Sequence, residues 1–492
     1  MRTKPENASR PKHTETSNHN DHGDAMPGYE SQRDSAVEAA SLGGTVSLGD
    51  ISEARVEQAA PKGREFTYVD IGSIDRDTKR IVDPKVLASL KAPSRAKQLL
   101  KAGDVIVSMT RPNLNAVALV PPDLDGAIGS TGFHVLRARD AEPGFLFYAV
   151  QSPEFVDAMC LKVQGALYPA VRPRDISSFS VLSLPRRQQR RIVAEIEKQF
   201  TRLEVGVAAL RLVQANLKRY RAAVLKAACE GRLVPTAAAL AKAGRKHAEF
   251  ESGAELLVRI LTERRQRWQG RAKYKEAAAL NAATFPPVPN GWTLTSLDAA
   301  IVTGPQNGVY LPRELYGRGL PIVRIDDYQD GWVRPVEKLS KVAADQVTAA
   351  KYQLVVGDLV INRVNSPTHL GKCLLVRETH AGALFESNMM KAHLADSINS
   401  RFVELYLRSR DGRARLNSGA KWAVNQASIN QEDVRRVPLP VPPLEEQTRI
   451  VAEVERRLSV VEELEAAVSA NLQRAARLRQ SILQKAFTGA LV

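Results

Sequence analysis

Gln189–Val234 reads QRRIVAEIEKQFTRLEVGVAALRLVQANLKRYRAAVLKAACEGRLV, and the chain ends by writing nearly the same segment again, from Gln447 to Val492. In the first copy Ile196, Leu203, Leu210, Leu217 and Val224 recur every seven residues, with Ile192, Phe200, Val207, Val213 and Tyr220 filling the intermediate seam. In the second, Val454, Val461, Val468, Ala475 and Ile482 keep the same step, with Leu458, Leu464, Leu472 and Leu478 between them. Apolar residues at this spacing specify long helices that bury one stripe against a partner helix. The copies align without a gap, Ile192-Val193-Ala194-Glu195 on Ile450-Val451-Ala452-Glu453 and Gly231 on Gly489, with roughly 17 of 46 positions identical, which marks an internal duplication.

What precedes each helix is duplicated too. Tyr68-Val69-Asp70-Ile71 resembles Ile322-Val323-Arg324-Ile325, Gly103-Asp104-Val105-Ile106 resembles Gly357-Asp358-Leu359-Val360, and Asp175-Ile176 matches Asp433-Val434. Short apolar runs punctuated by Gly, Pro, Asn and Asp (Phe66–Ile71, Val105–Met109, Val117–Val120, Phe133–Leu136) predict strands, with a helix around Glu142–Asp157. The expected fold class is α+β, with two tandem α/β domains separated by a long intramolecular antiparallel coiled coil. The expected segments are a polar, disordered tail over residues 1–43, a first domain over 44–185, a helix over 186–236, a linker over 237–289, a second domain over 290–441 and a second helix over 442–492. In the linker, Ala254, Leu256, Leu257, Ile260 and Leu261 space out as a short amphipathic helix. Its tail, Arg264-Arg265-Gln266-Arg267-Trp268, suits either a phosphate or partner contact or a solvated helix end capped by a packed Trp.

Each long helix needs a partner for its seam, and the other copy has the same phase. At 1.5 Å per residue, about 40 residues span about 60 Å. Antiparallel pairing brings the start of the second domain to the end of the first helix, within reach of the linker. Pairing between two chains is the alternative.

The 492 residues carry 70 Lys and Arg against 54 Asp and Glu, a formal charge of +16 that calls for an anionic partner, most simply nucleic acid; solubility alone is the competing reading. No apolar run is long enough to span a membrane, the N-terminus lacks a secretory apolar core, and Cys160, Cys229 and Cys373 are too scattered for a disulfide framework or a zinc site, so a reducing cytoplasm is expected. His13, His19 and His22 read as part of a solvated tail rather than a metal site. Motifs for catalysis are missing: there is no phosphate loop, His-Glu-x-x-His or nucleophile elbow, and Asn365-Ser366-Pro367-Thr368 does not meet the Asn/Asp-Pro-Pro-Tyr/Phe pattern of amino-methyltransferases. Gly126, Gly129 and Gly132 lie three apart, a spacing that fits a turn between strands better than a phosphate cradle. The chain is expected to catalyse nothing and to hold no metal.

Two loops per domain carry side chains of the types a base reader needs. The first follows the Gly-Asp strand: Arg111, Asn113 and Asn115, then Arg363, Asn365, Ser366, Thr368 and His369. The second precedes the long helix: Lys162, Gln164, Tyr168, Arg172 and Arg174, then Lys421, Trp422, Asn425, Gln426, Ser428 and Asn430. Arg fits guanine O6/N7 and Asn fits adenine N6/N7, while basic, amide and aromatic groups in alternation suit phosphate anchoring beside base edges. Local hydrogen bonding in turns, or packing of Tyr168 and Trp422 into the domain, remains the competing account.

With Pro442-Pro443-Leu444-Glu445-Glu446-Gln447-Thr448-Arg449-Ile450-Val451 opening the second helix, and Ala254-Glu255-Leu256-Leu257 to Glu263-Arg264-Arg265 following the first, residues 46–492 resemble the specificity subunit of a type I restriction-modification enzyme. That resemblance implies two target-recognition domains on an antiparallel coil, each reading half of a split sequence in double-stranded DNA. It implies that methyltransferase subunits dock on the coil and bring S-adenosylmethionine, and that a restriction endonuclease/translocase subunit brings ATP and magnesium chemistry, with no cofactor in this chain. The sequence departs from the pattern at Pro185-Arg186-Arg187-Gln188-Gln189, which lacks the Leu-Glu-Glu of the second copy, and in the missing Gly-Trp at the start of the first domain. Two rival readings are a coiled-coil scaffold displaying two ligand-binding domains with no DNA role, and an enzyme whose motifs have drifted.

Overall fold

The computed structural model describes residues 44–163, 169–244, 250–268, 273–280, 285–329, 331–366, 368–424 and 426–491. The chain divides into two compact units, one formed by residues up to Ala208 together with those from Leu472 onward, the other by Ala209–Asn471. Both boundaries fall inside long helices, Arg186–Cys229 and Leu444–Phe487, so each unit holds an α+β domain and a portion of each helix.

In the first unit a four-stranded sheet has the order Lys85–Ala88, Glu65–Val69, Ile128–Ser130, Ala96–Leu99, and its central pair is parallel, with Tyr68 opposite Ile128. A three-stranded antiparallel sheet follows, Phe133–Leu136, Val105–Ser108, Val117–Leu119. Val105–Ser108 is buried along its whole length, which is why its sequence is a continuous apolar run rather than an alternation. Thr45–Ser47 pairs with Ser180–Leu182 just before the long helix.

The second unit repeats this plan. Tyr316–Val323 runs parallel to Leu384–Phe385 with Ile322 opposite Leu384, and Met389–Leu394, Asp358–Asn362 and Cys373–Leu375 form the antiparallel sheet, here extended by Ile301–Asn307. Thr293–Ser296 pairs with Pro438–Val441. The aligned tetrapeptides thus occupy equivalent places. Gly103 and Gly357 both have φ of 87°, a turn that favours glycine, and the following Asp104 and Asp358 each cap the turn by accepting the amide of the residue three before, at 2.8 and 3.0 Å.

The single helix expected around Glu142–Asp157 is two, Pro143–Ala149 and Pro153–Leu161. Pro153 disfavours helical backbone at Ser152, whose hydroxyl instead caps the second helix through the Phe155 amide at 3.2 Å. Ser400–Arg408 and Arg410–Leu416 repeat the break, with Ser409 capping through Gly412.

Each long helix is joined to its domain by a buried glutamine. Gln189 accepts from the Glu142 amide at 2.8 Å and donates to Leu184 O; Gln447 accepts from the Asn399 amide at 2.9 Å and donates to Pro442 O. In the second unit Glu446, fully buried, also accepts from Trp292 Nε1 and the Ala237 amide, each at 2.8 Å. Gln188 stands at the corresponding place in the first unit, whose domain has no Trp to bind.

Within each unit the helices pack antiparallel. Ile192, Ile196 and Phe200 share a core with Ile482, Leu483 and Ala486 in one, and Glu204 faces Arg479 at 3.5 Å. In the other, Val224, Leu225 and Ala228 pack with Ile450, Val454 and Leu458, and Arg221 bonds Glu465 at 3.0 Å. Of the seven-residue seam, Ile196, Leu217, Val224, Val454, Val461, Val468 and Ile482 are buried, and Leu203, Leu210 and Ala475 are half-buried. Val213, Tyr220, Leu464 and Leu478 are exposed rather than in the seam. They lie three residues after a seam position, whereas the packed row runs four after: Phe200, Val207, Leu458 and Leu472, with Gln214, Arg221, Glu465 and Arg479 as its polar members. The polar groups are accommodated by pairing, Arg221 with Glu465, and Arg479 with Glu204 and over the Phe200 ring at 3.9 Å.

The linker helix, Gly253–Gln266, packs Leu256 and Ile260 into the second domain's core. Gly253 has no room for a side chain: a Cβ there would stand 2.2 Å from Val441 O. No helix among the described residues is long and apolar enough to cross a membrane.

Candidate nucleic-acid interface

In each domain the two loops selected from the sequence are brought side by side by backbone hydrogen bonds. In the first, the Arg111 amide donates to Pro169 O and the Val171 amide to Met109 O, both at 2.8 Å, and Thr110 bridges Ala170. In the second, Val364–Asn365 pairs with Gln426–Ser428, which in turn pairs with Lys421–Ala423, and the Ile429 amide donates to Arg363 O at 2.9 Å. The loops are far apart in sequence, yet the same contact is built twice.

In each domain the strand that leads into the first loop begins, at its far end, with a buried aspartate. Asp104 takes a two-pronged bond from Arg137 Nε and Nη2, each 2.8 Å long. Asp358 is bonded instead by His393 Nδ1 at 2.9 Å and Lys391 Nζ at 3.2 Å, which raises the His393 pKa above its ordinary value. Either arrangement neutralises a carboxylate held out of water.

The candidate side chains fall into two groups. Arg111, Asn113, Arg174, Lys421, Trp422 and Gln426 are exposed and have no side-chain hydrogen bond among the described residues; Trp422 is 65% exposed at the hairpin. The others are engaged locally. Asn115 donates to Val150 O at 2.7 Å and accepts from Lys79 at 3.0 Å, so both ends of its amide are occupied. Lys162 donates to Ser178 Oγ at 3.2 Å, and Arg172 precedes Pro173–Ser177 with its amide on Asp175. Asn430 caps Gln431–Arg435 by accepting from Glu432 and Asp433, Asn365 accepts from the Ser366 amide, and Ser366 and Thr368 share a hydroxyl contact at 3.2 Å. Ser428 is half-buried in its strand. Arg363 donates to Ser387 O at 3.2 Å, while its Nε and the His369 Nδ1 are buried and without a partner among the described residues. Gln164, Tyr168 and Asn425 lie outside the described residues, as do His13, His19 and His22.

Sequence reading missed the residues that hold these loops from behind. Lys79 donates to Asn115 O at 2.6 Å, and Arg413 donates to Leu370 O at 3.0 Å and Thr368 O at 2.7 Å. No local signal identifies them, because each acts on a loop more than thirty residues away.

In the linker's basic tail only Arg264 is turned inward, while Arg265, Arg267 and Trp268 are exposed. Arg264 is buried and donates to Ile301 O, Tyr274 Oη and Lys275 O; Arg265 pairs with Glu276, and Arg267 with Asp396 and Glu263. Trp268 meets Tyr274 edge-on at 5.9 Å. Of the two readings of this segment, the solvated helix end describes Arg265 and Arg267, but Trp268 is 43% exposed rather than packed as its cap.

The duplicated domain, its paired polar loops and the antiparallel helix packing within each unit define a class of protein built as two similar α+β domains on long helices. The sequence is similar to those of several type I specificity subunits. The chain is 25% identical over 354 residues to the type I restriction enzyme StySPI specificity subunit of Salmonella potsdam, covering 71% of this chain and 65% of that one. It is 25% identical over 337 residues to the EcoDI specificity subunit of Escherichia coli, covering 67% and 66%. A solved chain from a type I restriction-modification system superposes with a TM-score of 0.65 at 27% identity, covering 91% of this chain and 97% of that one. No family model matches. The chain therefore spans slightly less than two thirds of the length of these curated relatives. The resemblance to type I specificity subunits read from the helix-opening and linker motifs is matched by these independent likenesses in sequence and in fold.

Proposed function

We propose that this chain is the sequence-specific DNA-binding specificity subunit of a type I restriction-modification complex. Each domain reads one half of a bipartite duplex target with its loop pair. The observation that carries this reading is the twofold construction of the same interface, with uncommitted Arg111, Asn113 and Arg174 exposed in the first domain and Lys421, Trp422 and Gln426 in the second. Exposed cationic and amide groups beside one another supply phosphate anchoring and base-edge contact together.

The two domains act at the ends of an intramolecular antiparallel coil that sets their spacing, about one turn of B-DNA or about 34 Å. Methyltransferase subunits dock on the coil; in the second unit its solvent face carries Leu212, Val213, Tyr220, Val460 and Leu464, an apolar surface of the kind partners cover. Those subunits bring S-adenosylmethionine, and a translocating endonuclease subunit brings ATP and magnesium, so the chain itself catalyses nothing. The complex works in the cytoplasm, where its DNA is.

The test is methylome sequencing of a host expressing this chain with its neighbouring methyltransferase subunit, with and without an in-frame deletion of residues 290–441. A split motif that depends on the full chain and is lost or reorganised by the deletion is the expected result. Absence of chain-dependent methylation, with both subunits soluble and associated, would favour a scaffold without a DNA role.

A further inference from the structure

Among the described residues, three that are not glycine adopt left-handed backbone: Lys79 (φ 57°), Arg111 (φ 48°) and Asn115 (φ 42°). All three belong to one structure. Arg111 and Asn115 bracket the short turn Pro112–Leu114 as its two caps, and Lys79 Nζ bonds Asn115 twice, at the carbonyl (2.6 Å) and at Oδ1 (3.0 Å). Left-handed backbone is unfavourable for a residue with a Cβ and persists where its surroundings over-determine it, which is typical of ligand-binding sites.

Lys79 is itself directed by a tight turn. It follows Asp75, whose carboxylate accepts the amides of Asp77 (2.8 Å) and Thr78 (3.2 Å) while its carbonyl accepts the Lys79 amide at 2.8 Å. The other end of the Asn115 amide is tied to Val150 O, so the turn is held from both sides. Arg111, by contrast, has an exposed side chain with no hydrogen bond among the described residues. A clamped backbone carrying an uncommitted guanidinium is what base readout needs, since a two-pronged contact to a base edge tolerates little angular error.

We infer that Lys79 is a positioning residue for recognition of the first half-site: its ammonium, bonded to Asn115, locks the Pro112–Leu114 turn so that Arg111 and Asn113 meet the base edges, and it does not itself contact DNA. This rests on the DNA-reading function proposed above. The environment of Lys79 agrees with an inward role. Burial, with the positive charge of Arg479 adding to it, holds its pKa down to about 8, unlike that of a solvent-facing phosphate contact. The second domain holds its reading loop differently, through Arg413 to Thr368 O and Leu370 O, so the clamp belongs to the first half-site alone.

The experiment uses the full chain with its methyltransferase partner and duplexes bearing the split motif found by methylome sequencing, each with single base changes in one half. The first half-site is the one altered when residues 46–185 are exchanged. For Lys79→Met, discrimination against base changes in that half falls about tenfold, whereas discrimination in the second half and binding to random-sequence duplex stay at wild-type levels. Asn115→Ala does the same, the double substitution is no worse than either single one, and Lys79→Arg recovers part of the loss. Wild-type discrimination in both Lys79→Met and Asn115→Ala overturns the inference. So does an equal loss on every duplex with a shallower salt dependence, which would make Lys79 a phosphate contact. Should Lys79→Met fail to fold, Asn115→Ala and Lys79→Arg decide the matter. A wild-type complex that discriminates in neither half would instead defeat the DNA-reading function itself.

Discussion

Asp104 and Asp358 occupy the same place in the two domains and are neutralised by different chemistry, which gives the domains different vulnerabilities. Removing the acid in Asp104→Ala takes from the buried Arg137 guanidinium its two-pronged partner and leaves only the half-exposed Glu53 at 3.6 Å, and loss of one partner of a buried pair costs up to about 3–5 kcal/mol. Urea unfolding should show it, and a cost under about 1 kcal/mol would mean that the pair is solvated. Two histidines make a second prediction. Burial holds the His134 pKa down to about 4, so between that value and the unfolded value of about 6.5 the folded state binds fewer protons than the unfolded one. The first unit therefore gains stability as pH rises through this window, by at most about 3 kcal/mol. His393 is raised by Asp358, so its contribution is complete below the unfolded value and is lost as pH rises through the folded one. Hydrogen exchange of the two central sheets, compared at acid and mildly alkaline pH, should move in opposite directions; parallel movement would refute the assignment.

At the scale of elements, the long helices were legible from the seven-residue repeat, but which flank of the seam is buried was not. Apolar Val213, Tyr220, Leu464 and Leu478 invite the position three after each seam residue, while packing uses the position four after and fills part of it with the polar groups Gln214, Arg221, Glu465 and Arg479. Substitutions separate the two rows. Leu217→Ala and Val454→Ala, at buried seam positions, should each cost about 2–4 kcal/mol. Tyr220→Ser and Leu464→Ser should leave stability within about 0.5 kcal/mol and weaken association with the methyltransferase subunit. A large stability loss from the latter pair would place them in the seam after all. The buried glutamines that join helix to domain carry a further expectation: Gln447→Leu leaves the Asn399 amide without its acceptor, at a cost of about 1–3 kcal/mol, measurable by thermal unfolding.

For the whole molecule, the ruler proposal predicts that target spacing follows helix length. Removing one heptad around Ala208–Arg211 and its counterpart in the second helix shortens each by about 10 Å, or about three base pairs, and the methylated motif should lose a comparable part of its gap. An unchanged motif would sink the ruler. Exchange of residues 46–185 should alter one half-site only; both changing together would count against independent readers. With a formal charge of +16, binding to random duplex should weaken steeply as salt rises.

By itself the sequence determined the duplication, the strand that starts at each Gly-Asp, the two long helices and the choice of loops, because periodicity, turn chemistry and repeated tetrapeptides are local signals. The tertiary structure alone decided the rest. It joined the loops into one surface per domain, put Lys79 behind Asn115 and Arg413 behind Thr368, turned Arg264 of the linker inward and selected the buried flank of the coil. Those outcomes depend on which groups meet across long stretches of chain, and on which polar groups find a partner once removed from water. Neither is encoded in the spacing of residues along one segment.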